Sequence, residues 1–144
     1  MNSALDKLLD WYEHLTPQGV SRVAQLYAAD AHFRDPFNNV RGTAAIQRIF
    51  EHMFESTVAP RFVIRQRMLQ GDQAFVTWIF TFELQGKHYT VEGASHITFG
   101  PDGLVRTHRD YWDAAEELFQ KLPFVGGLFK LLRGRFSANK HAPK

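Results

Sequence analysis

The chain of 144 residues contains no cysteine, which excludes disulfides, thiolate nucleophiles and zinc–sulfur centres. No apolar run approaches the ~20 residues needed to cross a bilayer. Met1 to Leu15 carries Asp6, Asp10 and Glu13 instead of the basic start and continuous apolar stretch of a signal peptide. A cytoplasmic location is therefore expected. Phosphate-cradling glycine loops and nucleotide fingerprints are missing as well, and a formal charge of +2 is too small for a nucleic-acid footprint. No nucleic-acid partner and no cofactor are expected. Acidic residues are also absent from the C-terminal end, since every Asp and Glu lies at or before Glu117. Residues 1–120 carry 11 basic against 15 acidic groups, whereas the last 24 residues carry six basic groups and no acid. That split suggests a globular body, 1–122, and a basic amphipathic appendage, 123–144. What the chain has in quantity is apolar surface: 44% hydrophobic and 14% aromatic residues, thirteen of them Phe. Disorder is excluded, and one domain with a real core is expected.

Leu5, Leu8, Leu9, Tyr12 and Leu15 recur at helical spacing and predict an amphipathic helix that Thr16-Pro17 interrupts. A second helix is expected with Val20, Val23 and Tyr27 on one side, then a short extended piece from Ala31 to Phe37 that stops at Pro36. Asn38-Asn39 and Gly42 read as turns. Thr43 reads as the cap of a third helix with an Ile46, Ile49, Phe50, Met53 and Phe54 stripe. After Pro60 the period changes to two. Phe62–Leu69, Ala74–Leu84, Tyr89–Phe99 and Leu104–Trp112 read as strands joined by short turns, hence antiparallel neighbours. Helices first and a meander second argue for an α+β fold, a curved antiparallel sheet wrapped around the helices.

Alternation assigns faces to the strands. Val76, Trp78, Phe80, Phe82 and Leu84 share one; Tyr89, Val91, Gly93, Ser95, Ile97 and Phe99 share another. In the last strand Arg106, His108, Asp110 and Trp112 point together, opposite Val105, Thr107, Arg109 and Tyr111. If the His108 face is the covered one, a carboxylate and an imidazole sit among aromatics, where an unpartnered charge is costly.

The run Tyr27-Ala28-Ala29-Asp30-Ala31-His32-Phe33-Arg34-Asp35-Pro36, followed by Arg41-Gly42-Thr43-Ala44-Ala45-Ile46, resembles ketosteroid isomerases and their SnoaL-like relatives in the nuclear transport factor 2-like superfamily. Phe82 to Gly86 is similar to an isomerase strand end, and His108 to Asp113 is similar to the last strand of limonene epoxide hydrolases. The resemblance covers about residues 5–113 and implies a cone-shaped sheet around a pocket, with a small hydrophobic molecule as partner and pairing into a homodimer. It places Asp35 where the isomerase keeps its proton-shuttling base. The isomerase's oxyanion-holding Tyr and acid fall at Trp11, with Tyr12 beside it, and at Ser95. Asp110 matches one carboxylate of the epoxide hydrolases, but the matching Arg and second Asp fall at Trp78 and Phe80, so that triad is absent.

The candidate catalytic residues are therefore Asp35, Asp110 and His108, and the candidate ligand-binding residues are Trp11, Tyr12, Trp78, Phe82, Ser95 and Trp112. The function these imply is carboxylate-mediated proton transfer next to a carbonyl, isomerase-like or cyclase-like; the alternative is a noncatalytic binding or dimerisation module. Two structural roles compete with chemistry. Asp35 before Pro36 can accept backbone N–H groups in a turn, and Asp110 can pair with Arg34, Arg106 or Arg109. No metal site is assigned, since no compact ligand motif exists. An outer-face patch of Phe75, Ile79, Val105 and Tyr111 is the expected dimer surface. Asp113 is read as the cap of a helix to Leu122, and Phe124 to Leu132 as a further helix packed on protein; contact with a membrane surface is the least favoured reading of that basic segment.

Overall fold

The computed structural model describes residues 3–114. The expected tail helices beyond Ala114 and the division at residue 122 lie outside the described residues. Helix α1 (Ser3–Glu13) buries Leu5, Leu8, Leu9, Trp11 and Tyr12. It packs on the inner side of the sheet against β3. A 3₁₀ turn (Gln18–Arg22) and a single-turn helix α2 (Val23–Leu26) follow. Strand β1 (Tyr27–Arg34) begins at Tyr27, four residues before the extended segment predicted from sequence. The expected second helix is thus cut short, because Tyr27 and Ala28 enter the sheet core instead of a helix face. Strand β2 (Asn39–Arg41) lies between the turns read at Asn38-Asn39 and Gly42, takes in Asn39, and pairs back on β1.

Gly42, at φ +93°, is the residue before helix α3 (Thr43–Ser56), and Thr43 is already inside the helix. A side chain at Gly42 would be strained in that conformation. The predicted stripe is observed: Ile46, Ile49, Phe50 and Met53 are buried, with Phe54 packed beside them. Strands β3 (Val58–Gln70), β4 (Gln73–Leu84), β5 (Lys87–Phe99) and β6 (Val105–Tyr111) form the meander.

One six-stranded sheet results, in the order β2-β1-β6-β5-β4-β3, curved and not closed. Register shifts in β3 at Val58/Arg61 and Ile64/Gln66 help it bend. Every neighbouring pair is antiparallel except β1 and β6, which run parallel. No short connector joins those two strands, so nothing local in the sequence fixes their direction.

The inner face follows the predicted alternation in β4 and β5, with Val76, Trp78, Phe82, Leu84, Tyr89, Val91, Ser95, Ile97 and Phe99 buried. Strand β6 departs from it. Phe99 pairs with Val105 while Thr98 pairs with Thr107, so β6 carries one extra residue. This bulge turns both Val105 and His108 inward, at 1% and 3% exposure, and leaves Arg106 outside on Asp102. Val105 therefore belongs to the core and not to the outer patch expected from strict alternation. No helix among the described residues is long and apolar enough to cross a membrane.

Candidate active site

The cavity lies between α3 and the inner face of the sheet, at the end where β1 gives way to the Asp35-Pro36 turn. Its volume is about 80 Å³. Helix α3 contributes Ile49, Phe50 and Met53, and the sheet contributes Phe62, Trp78, Phe80, Phe82 and Val91. Phe62 stacks on Phe80 with centroids 4.5 Å apart, and Phe37 meets Trp112 edge-on at 5.6 Å across the opening. Among the described residues, the polar side chains in these walls are Asn38, His52 and two carboxylates, Asp35 and Asp110. Their meeting follows from the parallel pairing. Arg34 opposes Arg109, so the next residue of each strand is the carboxylate.

Asp35 is held by its own turn. Its Oδ1 accepts the backbone N–H groups of Phe37 and Asn38, both at 2.7 Å, and the Asn38 amide donates to both oxygens at 3.1–3.2 Å. The Asp35 N–H returns a bond to the Asn38 carbonyl at 2.9 Å. Burial nevertheless pushes the Asp35 carboxyl up to about 6, with the charge of Asp110 adding to it and the Asn38 and Phe37 donors opposing. The turn-acceptor role and the cavity-facing role coexist in one residue.

Asp110 is held by side chains from distant parts of the chain. The Trp78 indole donates to Ser95 Oγ at 2.9 Å, and Ser95 Oγ donates to Asp110 Oδ1 at 2.5 Å. His108 Nε2 meets the same oxygen at 2.7 Å. Behind it, His108 Nδ1 lies 2.8 Å from the Tyr27 hydroxyl, which lies 2.6 Å from that of Tyr12. An indole N–H can only donate, so Ser95 accepts from it and passes its own hydrogen to Asp110. With Tyr12 donating to Tyr27 and Tyr27 to His108, every hydrogen of both chains points toward Asp110. Burial above all keeps both tyrosines protonated, raising each well above its ordinary value. Tyr12, Ser95, His108 and Asp110 surround a second chamber of about 20 Å³.

Gly93 makes this arrangement sterically feasible. It opposes Trp78 across β4 and β5, and a Cβ there would lie 2.4–2.9 Å from three carbons of the indole ring. The ring lies where that side chain would be.

Of the residues predicted from sequence, Asp35, Trp78, Phe82, Asp110 and Trp112 line the main cavity. Tyr12, Ser95 and His108 line the inner chamber. Trp11 lines neither. Its indole N–H is spent on the Gly19 carbonyl at 2.9 Å, and its ring packs edge-on against Tyr12 and Phe50. The one-residue difference between Trp11 and Tyr12 on the helix decides which reaches the network. The arginines considered as partners for the His108/Asp110 pair lie elsewhere. Arg106 pairs with Asp102, Arg109 sits over the Tyr111 ring at 4.6 Å, and Arg34 lies with Arg109 in a groove outside the cavity. Sequence reasoning missed Tyr27, placed on a helix, and Asn38, read only as a turn marker.

A sequence model of the SnoaL-like domain matches residues 8–108. The chain belongs to the SnoaL-like family. Among curated relatives, the steroid Δ-isomerase of Nocardioides simplex is 32% identical over 92 residues, covering 62% of this chain and 73% of that one. Similar folds include an LEH-like epoxide hydrolase from M. tuberculosis (TM-score 0.68, 16% identity, 91% and 93% of the two chains). A protein from Jannaschia sp. CCS1 assigned as a SnoaL-like polyketide cyclase has TM-score 0.67 and 14% identity, over 98% and 93%. At those identities the structural likenesses speak for the SnoaL-like fold alone.

Proposed function

We propose that this SnoaL-like domain binds a small carbonyl compound in the cavity and moves a proton on the carbon next to the carbonyl, with Asp35 as the base. The observation that carries the reading is the Asp35 carboxyl itself. It faces aromatic walls, its lone pairs are oriented by three N–H groups, and its acidity is shifted to about 6, close to neutrality. In its ionised form Asp35 takes the proton, the C–H electron pair moves into an enolate, and the same carboxyl returns the proton to a second carbon. Nothing is oxidised or reduced in such an isomerisation. Asp110, held by the donor chain behind it, keeps a negative charge beside Asp35 and makes its carboxyl a weaker acid. The relative named a steroid Δ-isomerase supports proton transfer of this class.

The test is solvent-deuterium incorporation, followed by NMR, next to the carbonyl of small cyclic enones and ketones. Wild type is expected to exchange, and Asp35→Asn to lose roughly 10²–10⁴-fold of the rate. Equal rates in the two proteins would leave the noncatalytic binding module as the correct reading.

We also propose a homodimer formed through the outer sheet face. Phe75 is 46% exposed and stacked on His96 at 4.4 Å, Tyr111 is 49% exposed, and Ile79 is half-buried nearby. Exposed rings on one face of a sheet favour a partner surface.

A further inference from the structure

The cavity combines three features that a neutral ketone does not use. Its wall carries aromatic faces, two adjacent carboxylates and, among the described residues, no lysine or arginine. The hydrogens that could have met a carbonyl oxygen are directed elsewhere. Trp78 donates to Ser95, Ser95 and His108 to Asp110, and Asn38 to Asp35. His52, on the α3 side, has its Nε2 beside Ser56 Oγ at 3.3 Å. Arg34 and Arg109 border the same carboxylates only from the outer groove. Negative charge with aromatic faces and no lysine or arginine in the wall is the complement of a positively charged ligand. Ring quadrupoles attract an alkylammonium group, and a carboxylate in a dry site attracts it strongly.

We propose that the molecule taken by this cavity carries a cationic nitrogen, a small alkylammonium group seated against Asp110 and the rings of Trp78, Phe82 and Trp112. The inference rests on the reading of the cavity as the substrate site and names the substrate class as small amino-carbonyl compounds. It also resolves a difficulty of charge. An enolate forming between two carboxylates is opposed by both, and a cation built into the substrate offsets it. An ammonium group next to the reacting carbon makes that C–H more acidic, and Asp35 then carries the proton between carbons without net change of charge in the complex.

The experiment compares choline with its uncharged isostere 3,3-dimethylbutan-1-ol, titrated into the full chain while the indole N–H resonances are followed by NMR. Choline is expected to bind about tenfold tighter or better. Asp110→Asn should erase that preference, bringing the choline affinity down to that of the alcohol. Equal affinities in wild type, or tighter binding of the alcohol, overturn the inference while leaving proton transfer to be judged by deuterium exchange. Absence of binding by both probes overturns the inference together with the cavity reading on which it rests. The wild-type comparison decides the matter even where the variant fails to fold.

Discussion

Asp35 and Asp110 stand side by side, one step beyond the Arg34–Arg109 pair of neighbouring strands, face one cavity, and are held by opposite means. Asp35 is fixed by backbone and side-chain donors within three residues of itself. Asp110 is fixed by Ser95 and His108 directly and by Trp78, Tyr27 and Tyr12 behind them, residues drawn from α1, β1, β4, β5 and β6. A local mount keeps its geometry when the rest of the molecule shifts, whereas a mount assembled across the fold reports on all of it. The first arrangement suits a group that must gain and lose a proton. The second suits a charge that must stay where it is.

The largest effect should come from breaking the local mount's charge. Asp35 has a folded value of about 6 against its ordinary 3.8, so the folded state holds its proton more tightly. Its stabilising contribution is complete below about pH 4 and is lost as the pH rises through 6, a loss on the order of 3 kcal/mol by about pH 8. Asp35→Asn removes that pH dependence, so the variant is expected to gain on wild type in denaturant melts as the pH is raised from 4 to 8, while losing exchange activity. A pH-independent difference between the two would contradict the shift.

The distributed mount can be attacked without touching either carboxylate. Gly93→Ala drives a methyl group into the Trp78 ring, and repacking should cost about 1–3 kcal/mol in urea melts and displace the Trp78 N–H resonance. Ser95→Ala strands the buried Trp78 N–H and removes a donor from Asp110, again about 1–3 kcal/mol. Tyr27→Phe removes the hydroxyl that bridges Tyr12 and His108, leaving the longer 3.4 Å approach of Tyr12 to His108 Nδ1, and should cost about 1 kcal/mol, with little change at Asp35. If Tyr27→Phe shifted the Asp35 titration as much as Asp110→Asn does, the separation of the two mounts would fail. Smallest of all, Phe75→Ser should shift light scattering from dimer toward monomer with a change in domain stability within about 0.5 kcal/mol.

The same contrast explains what the sequence disclosed. The Asp-Pro turn, the α3 stripe and the alternation of β4 and β5 are short-range patterns, and they placed Asp35, Trp78, Phe82 and Ser95 on the correct elements. Tyr27 was lost because the apolar residues from Val20 onward mimic a helix period, while the chain is taken up as a strand by pairing with β6. The approach of Asp35 to Asp110 depends on a parallel register between residues some seventy-five positions apart, about which no local spacing carries information. Trp11 and Tyr12 differ by one position on a helix, and only the docking angle of α1 selects Tyr12 for the network.

The extra residue in β6 couples loop length to chemistry. Side-chain direction reverses at each step along a strand, so the bulge between Val105 and Thr107 acts as a phase shift between the part of β6 that anchors the core and the part that carries His108 and Asp110. Were the full-length strand to pair without that bulge, with Val105 held in the core, the altered phase would turn His108 and Asp110 toward solvent and Arg109 and Tyr111 inward. Deleting Arg106 instead removes the bulge and keeps Thr107 opposite Thr98 and His108 opposite Ile97, so the charged cavity outlives the loss of that residue. It is the bulge that lets a strand of the present length serve core and cavity on one face.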